Sequence, residues 1–171
     1  MLYVFIFWAC SGAKTDTGTE IDTGTSGEAL EEESDGAMIS DVSVRLNELL
    51  AKSSTTSDWL ELHNTGTETV DLSGWGLIDD IDEDEEWVFP ASSSIEAGGF
   101  VMVWADDGEE GDGLHATFKL SKEGEAVYLL DPSGVVVEEV VYPELEEDQS
   151  YALQVDGSWL VTDQITPGAS N

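Results

Sequence analysis

From Ile39 onward the chain never sustains a 3.6-residue apolar period. Its apolar residues come in short alternating stretches, each cut off by Gly, Pro, Asp or Ser. Alternation with a period of two sends successive side chains to opposite faces of an extended strand. Strands of this kind, short and regularly spaced, bury their apolar faces by packing sheet on sheet. The expected strands are VRLNELLA (44–51), DWLELHN (58–64), VDLSGWGLID (70–79), WVFP (87–90) and GFVMVWAD (99–106). ATFKL (116–120), GEAVYLLD (124–131) and VVVEEVVY (135–142) follow, and SYALQVDGSWLV (150–161) forms a hairpin that turns at Asp156-Gly157. WVFP ends at Pro90, which marks an edge strand. In DWLELHN, Leu60 and Leu62 face one way, and Trp59, Glu61 and His63 face the other. Glu138 and Glu139 interrupt a run of valines. That is the placement of charges that keep an apolar strand from aggregating.

Charge narrows the partners. Five basic residues stand against 38 acidic ones, a formal net charge of -33. Such a surface repels the phosphates of a nucleic acid and the headgroups of an anionic leaflet. Cations, basic proteins and cation-bridged partners remain.

Residues 1–38 read differently. Leu2 to Trp8 is an unbroken apolar run followed by Ala9 and Cys10, the chain's single cysteine. It is too short to span a bilayer, which takes about 20 residues. Residues 1–10 resemble the end of a bacterial lipoprotein signal peptide, and the resemblance implies that Cys10 is acylated. Residues 11–38 are rich in Thr, Gly, Ser and acid, with little to bury, and are expected to form a disordered tether. Asp-Thr-Gly occurs there twice, at Asp16 and Asp22. The two copies do not make an aspartic protease, whose carboxylate pair sits in a closed cleft. Residues 39–171 are expected to be the folded domain.

Five short motifs lie along that domain: Asp58-Trp59-x-Glu61, Asp71-Leu72-Ser73-Gly74-Trp75, Ala97-Gly98-Gly99, Phe118-Lys119-Leu120-Ser121 and Thr166-Pro167-Gly168. In this order, from about Val42 to Asn171, the chain resembles the lamin-tail domain. The resemblance implies an all-β, immunoglobulin-like β-sandwich with no catalytic centre of its own. Trp59, Glu61, Asp71, Gly74, Trp75, Gly98 and Gly99 then carry structure. Glu61 faces out beside His63 and caps locally. Asp71 starts a strand and accepts backbone N–H groups. Gly74 and Gly76 flank a bend that turns Trp75 into the core, and Gly98-Gly99 makes a turn of positive φ.

Two acidic loops and two histidines are the remaining candidates. Asp80, Asp82 and Asp84 alternate in one loop. Asp106, Asp107, Glu109 and Asp112 lie among glycines in the other. Alternating hard oxygen ligands on a loop suit Ca²⁺, so calcium is the one cofactor the sequence suggests. His63 and His115 lack metal-ligand spacing, and packing or a local hydrogen bond is their expected role. The expected function is a non-catalytic binding or structural module, extracytoplasmic or secreted, held at the membrane only through its lipid anchor. Its expected partner is a protein or cell-surface component, basic or cation-bridged, and not a nucleic acid. One alternative is a calcium-stabilised adhesion module. Another is a secreted hydrolase using His63 or His115 with a carboxylate.

Overall fold

The computed structural model describes residues 43–82 and 85–171. Cys10, the expected signal-like segment and tether (1–38) and Asp84 lie outside the described residues. The described chain is all β. Its strands are β1 (Val44–Leu50), β2 (Asp58–Asn64), β3 (Val70–Asp71), β4 (Gly76–Ile78), β5 (Trp87–Val88), β6 (Ser94–Ile95), β7 (Phe100–Ala105), β8 (Leu114–Ala116), β9 (Glu125–Leu130), β10 (Val136–Tyr142), β11 (Ser150–Leu153) and β12 (Trp159–Thr162).

Two sheets face each other across the core. One has six strands in the order β12-β11-β1-β2-β7-β8, the other four in the order β10-β9-β4-β5. β3 and β6 add a two-stranded sheet. The buried side chains between them include Leu46, Leu49, Leu60, Leu62, Leu77, Phe89, Val103, Val127 and Leu129. Burying a side chain of this size contributes about 1.5–3 kcal/mol, and this is the main drive for the two sheets to close.

The central strand β1 breaks the simple alternation. Its register with β2 shifts between Leu46 and Glu48, so Asn47 is an extra residue. A bulge of this kind resets which face the following side chains take. Leu46 pairs with Leu62 and Leu49 with Leu60, so both leucines enter the core although they are three apart. Glu48 is thereby placed directly opposite Glu61 on the other face.

Several strands differ from their expected extents. VDLSGWGLID is two short strands around a corner. There Gly74 has φ 80° and the Trp75 N–H donates to the Leu72 carbonyl at 3.0 Å. ATFKL is not a strand. The N–H groups of Asp107 and Gly108 take the Phe118 and Ala116 carbonyls, and only Lys119 makes an isolated bridge, to Asp106. Pairing moves back to β8, which runs parallel to β7. β5 ends before Pro90 at the edge of its sheet, as expected.

Candidate functional site

The densest polar cluster lies on the outer face of the six-stranded sheet. It is built by β1, β2, β11 and residues 166–171. Glu48 is fully buried and Glu61 is 1% exposed. Glu48 accepts hydrogen bonds from the Ser150 hydroxyl at 2.6 Å and the Thr166 N–H at 3.1 Å. Glu61 accepts from the Asn47 side-chain amide at 2.9 Å and from the Gly168 N–H. The Asn47 amide also donates to the Ala169 carbonyl at 3.3 Å, and the Thr166 hydroxyl contacts the Asn171 side chain. The closing residues 166–171 thus form a strap, held to the sheet chiefly by side chains. Burial raises the pKa of both carboxyls, opposed by these donors. Two carboxylates set directly across a strand pair also repel, which raises Glu61 further. The expected outward position of Glu61 is therefore corrected. It leaves the core as alternation requires, but the strap covers it and takes it out of solvent.

Glu138 makes a second link. Its carboxylate accepts the Leu46 N–H at 2.6 Å and sits 3.4 Å from the Arg45 guanidinium. The Leu46 donor lies beside the β1 bulge, so a residue of the four-stranded sheet satisfies a donor of the other. Glu138 is more than a guard against aggregation: it ties the two sheets. The exposed Glu139 keeps the guarding role.

A third cluster is centred on His115, in β8. Its Nδ1 lies 2.9 Å from Asp106 Oδ2, while Asp106 Oδ1 accepts the Glu109 N–H at 3.2 Å. Asp106 is 5% exposed. A carboxylate on one ring nitrogen orients a histidine base in triad-type sites. Here Nε2 is buried and has no hydrogen-bond partner among the described residues, and Gly111 packs against it. Among the described residues no nucleophile is placed on it, and the pair locks the loop to β8. His63 stacks on Phe100 with ring centroids 4.2 Å apart, and burial lowers its pKa. It lines a pocket of about 200 Å³ with Arg45, Asn47, Thr65, Gln154 and Ser170, and among the described residues no carboxylate lines that pocket.

In the two acidic loops, the described carboxylates are engaged separately or exposed. Asp80 accepts the Asp82 N–H at 3.0 Å. Asp107 pairs with Lys119 at 2.6 Å, and Asp106 is taken by His115. Asp112 and Glu109 are exposed. Among the described residues, no three His, Cys, Asp or Glu side chains come close enough to hold a metal ion.

The residues expected to carry structure sit as follows. Trp59 is 3% exposed, and Trp75 is half-buried against the core. Asp71 ends β3 rather than starting it, and its carboxylate accepts the Ser73 N–H at 2.8 Å. Gly98 has φ 66°. Gly99 does not share that conformation: a Cβ there would lie 3.0 Å from the Glu96 carbonyl, so lack of space fixes it. Asn47, Glu48, Ser150 and Asn171 were not among the candidates. The signal for the first two was present, since Asn-Glu inside VRLNELL interrupts the apolar alternation.

Comparison with known proteins agrees with this architecture. No curated protein matches the chain. The family model described as the Lamin Tail Domain matches residues 39–144, which leaves β11, β12 and the strap beyond the matched span. The match covers more than half of the chain: the chain belongs to the lamin tail domain family.

Proposed function

We propose that this protein is a non-catalytic binding or structural module, displayed outside the cytoplasm on a lipid attached to Cys10. The observation that carries the reading is how the reactive groups are used. Glu48 and Glu61 hold the strap, Glu138 ties the sheets, and Asp106 and His115 fix each other. These buried acid and base groups are engaged in holding the fold. The chain as a whole is acidic, with a net charge of -33, which suits a basic partner. Family membership supports the same reading, because the lamin tail domain is an immunoglobulin-like module.

Anchoring is tested with Cys10→Ser. The wild-type chain is expected in the membrane fraction and the variant in the soluble fraction. Equal membrane retention overturns the anchor. The non-catalytic reading is tested with His63→Ala and His115→Ala. A partner-binding signal that survives both agrees with it, and a hydrolytic activity abolished by either overturns it.

A further inference from the structure

The two main sheets end in four edges, and three of them are blunted. β5 has two residues and is followed by Pro90, and β8 has three residues. β10 has a register break between Val136 and Glu138, and there Glu138 reaches across to Leu46. Proteins use short strands, prolines and bulges to keep edges from pairing with another chain. β12 has neither a proline nor a bulge. Its four residues pair with β11 in unbroken register, and no Pro or Lys interrupts them. Leu160 is 52% exposed and Val161 41%.

The hairpin geometry shows which backbone groups are free. The Gln154 N–H donates to the Ser158 carbonyl at 2.7 Å. Bonded and non-bonded pairs alternate along an antiparallel ladder. The Ala152–Leu160 and Ser150–Thr162 pairs are therefore bonded inward. The N–H and C=O groups of Trp159 and Val161 point away from β11, and no strand among the described residues pairs with them. Asp156 and Asp163 stand exposed at the two ends of this edge, and no Lys or Arg follows Lys122.

We propose that the β12 edge receives an extended, Lys- or Arg-bearing peptide segment of a partner by strand addition. Backbone bonds to Trp159 and Val161 supply register. The partner's apolar side chains lie against Leu160 and Val161, and its cations meet Asp156 and Asp163. A second copy fits this edge poorly, because it brings the same -33. The proposal rests on the binding-module reading and names the surface and the kind of partner.

The test uses the full ¹⁵N-labelled chain and a six-residue peptide of alternating Lys and Val. The expected result is amide shift changes centred on Trp159 and Val161, with binding weakened by salt. Val161→Pro removes one outward donor and leaves the inward ladder intact, so it should weaken binding at least tenfold. The same peptide N-methylated on alternate residues should lose binding to the unmodified protein, which tests the edge without any variant that must fold. A Glu/Val peptide should not bind. Shift changes spread over the acidic surface, or equal binding by Val161→Pro and by the N-methylated peptide, overturn the edge while leaving a cation-dependent binding module. Trp159 and Val161 amides already protected from exchange in the free protein also overturn it, since a segment of this chain or a second copy then holds the edge. Absence of any binding overturns it as well, whereas the anchoring reading fails only in the Cys10 test.

Discussion

Glu61 shows what one residue contributes and how much of that the sequence conveys. Alternation put it on the face opposite Leu60 and Leu62, and that is where it lies. Alternation could not say what covers that face. The cover is Gly168, 107 residues away, and no local pattern encodes a contact so distant. Asp71 and Gly98 were easier to read, because each acts on its immediate neighbours. Glu61→Ala leaves the buried Asn47 amide without one of its two acceptors and the part-buried Gly168 N–H without its acceptor. A buried donor left unsatisfied costs about 1–3 kcal/mol. With one of the two donors buried, the variant is expected to be destabilised by roughly 1–3 kcal/mol. Denaturant unfolding reads this, and proteolysis in the strap region should rise in parallel. A loss below about 0.5 kcal/mol, the range of a plain surface substitution, would show that the strap is held elsewhere.

At the level of elements, the long strands, the β11–β12 hairpin and the edge strand β5 were legible, and β6, β8 and the break between β3 and β4 were not. β1, β2, β7, β9 and β10 have six or seven residues, enough alternation to stand out. β3, β5 and β6 have two residues each, and their pairing is set by the corner around Gly74 and the turns beside it. The ATFKL strand failed because neighbouring loop N–H groups claimed its carbonyls. Connections also carry tight constraints. A Cβ at Gly124, just before β9, would sit 2.6 Å from the Tyr142 carbonyl and 2.8 Å from the Pro143 backbone. Gly124→Ala must therefore push β9 and the end of β10 apart. An expected loss of about 2 kcal/mol or more is readable from the thermal midpoint. The acidic loops lead to a different expectation. With no three of their described carboxylates close enough to hold an ion, Ca²⁺ and Mg²⁺ at matched ionic strength should raise the midpoint equally. A Ca²⁺-specific rise would mean that Asp84 and its neighbours assemble a site after all.

Among the described residues, two sets of carboxylates answer pH in opposite directions. Asp71, Asp131, Asp148 and Asp156 sit in turns, and hydrogen bonds from nearby Ser groups hold their pKa values low. Asp58, Glu48, Glu61, Asp79 and Glu138 are raised, with burial the leading cause in each, and Asp58 is brought to about 6. A raised carboxyl binds its proton more tightly in the folded chain than in the unfolded one. Between the unfolded value of 3.8 and about 6, folded Asp58 therefore holds more proton, and stability rises as pH falls through that window. The lowered turn carboxylates contribute the reverse, but only at pH values below about 4, where their unfolded counterparts protonate. The expected outcome is a thermal midpoint higher at pH 5.5 than at pH 7.5, by on the order of 5 °C, with a decline setting in below about pH 4. Self-repulsion at a net charge of -33 acts in the same direction, and salt separates the two causes. At about 1 M salt the screening length shrinks to roughly 3 Å, so repulsion across the surface is lost while the burial of Asp58 is not. A pH gain that persists in high salt and is reduced in Asp58→Asn belongs to the buried carboxyls. A gain that vanishes in high salt belongs to the surface alone, and the strap and core acids then play no part in how the fold senses pH.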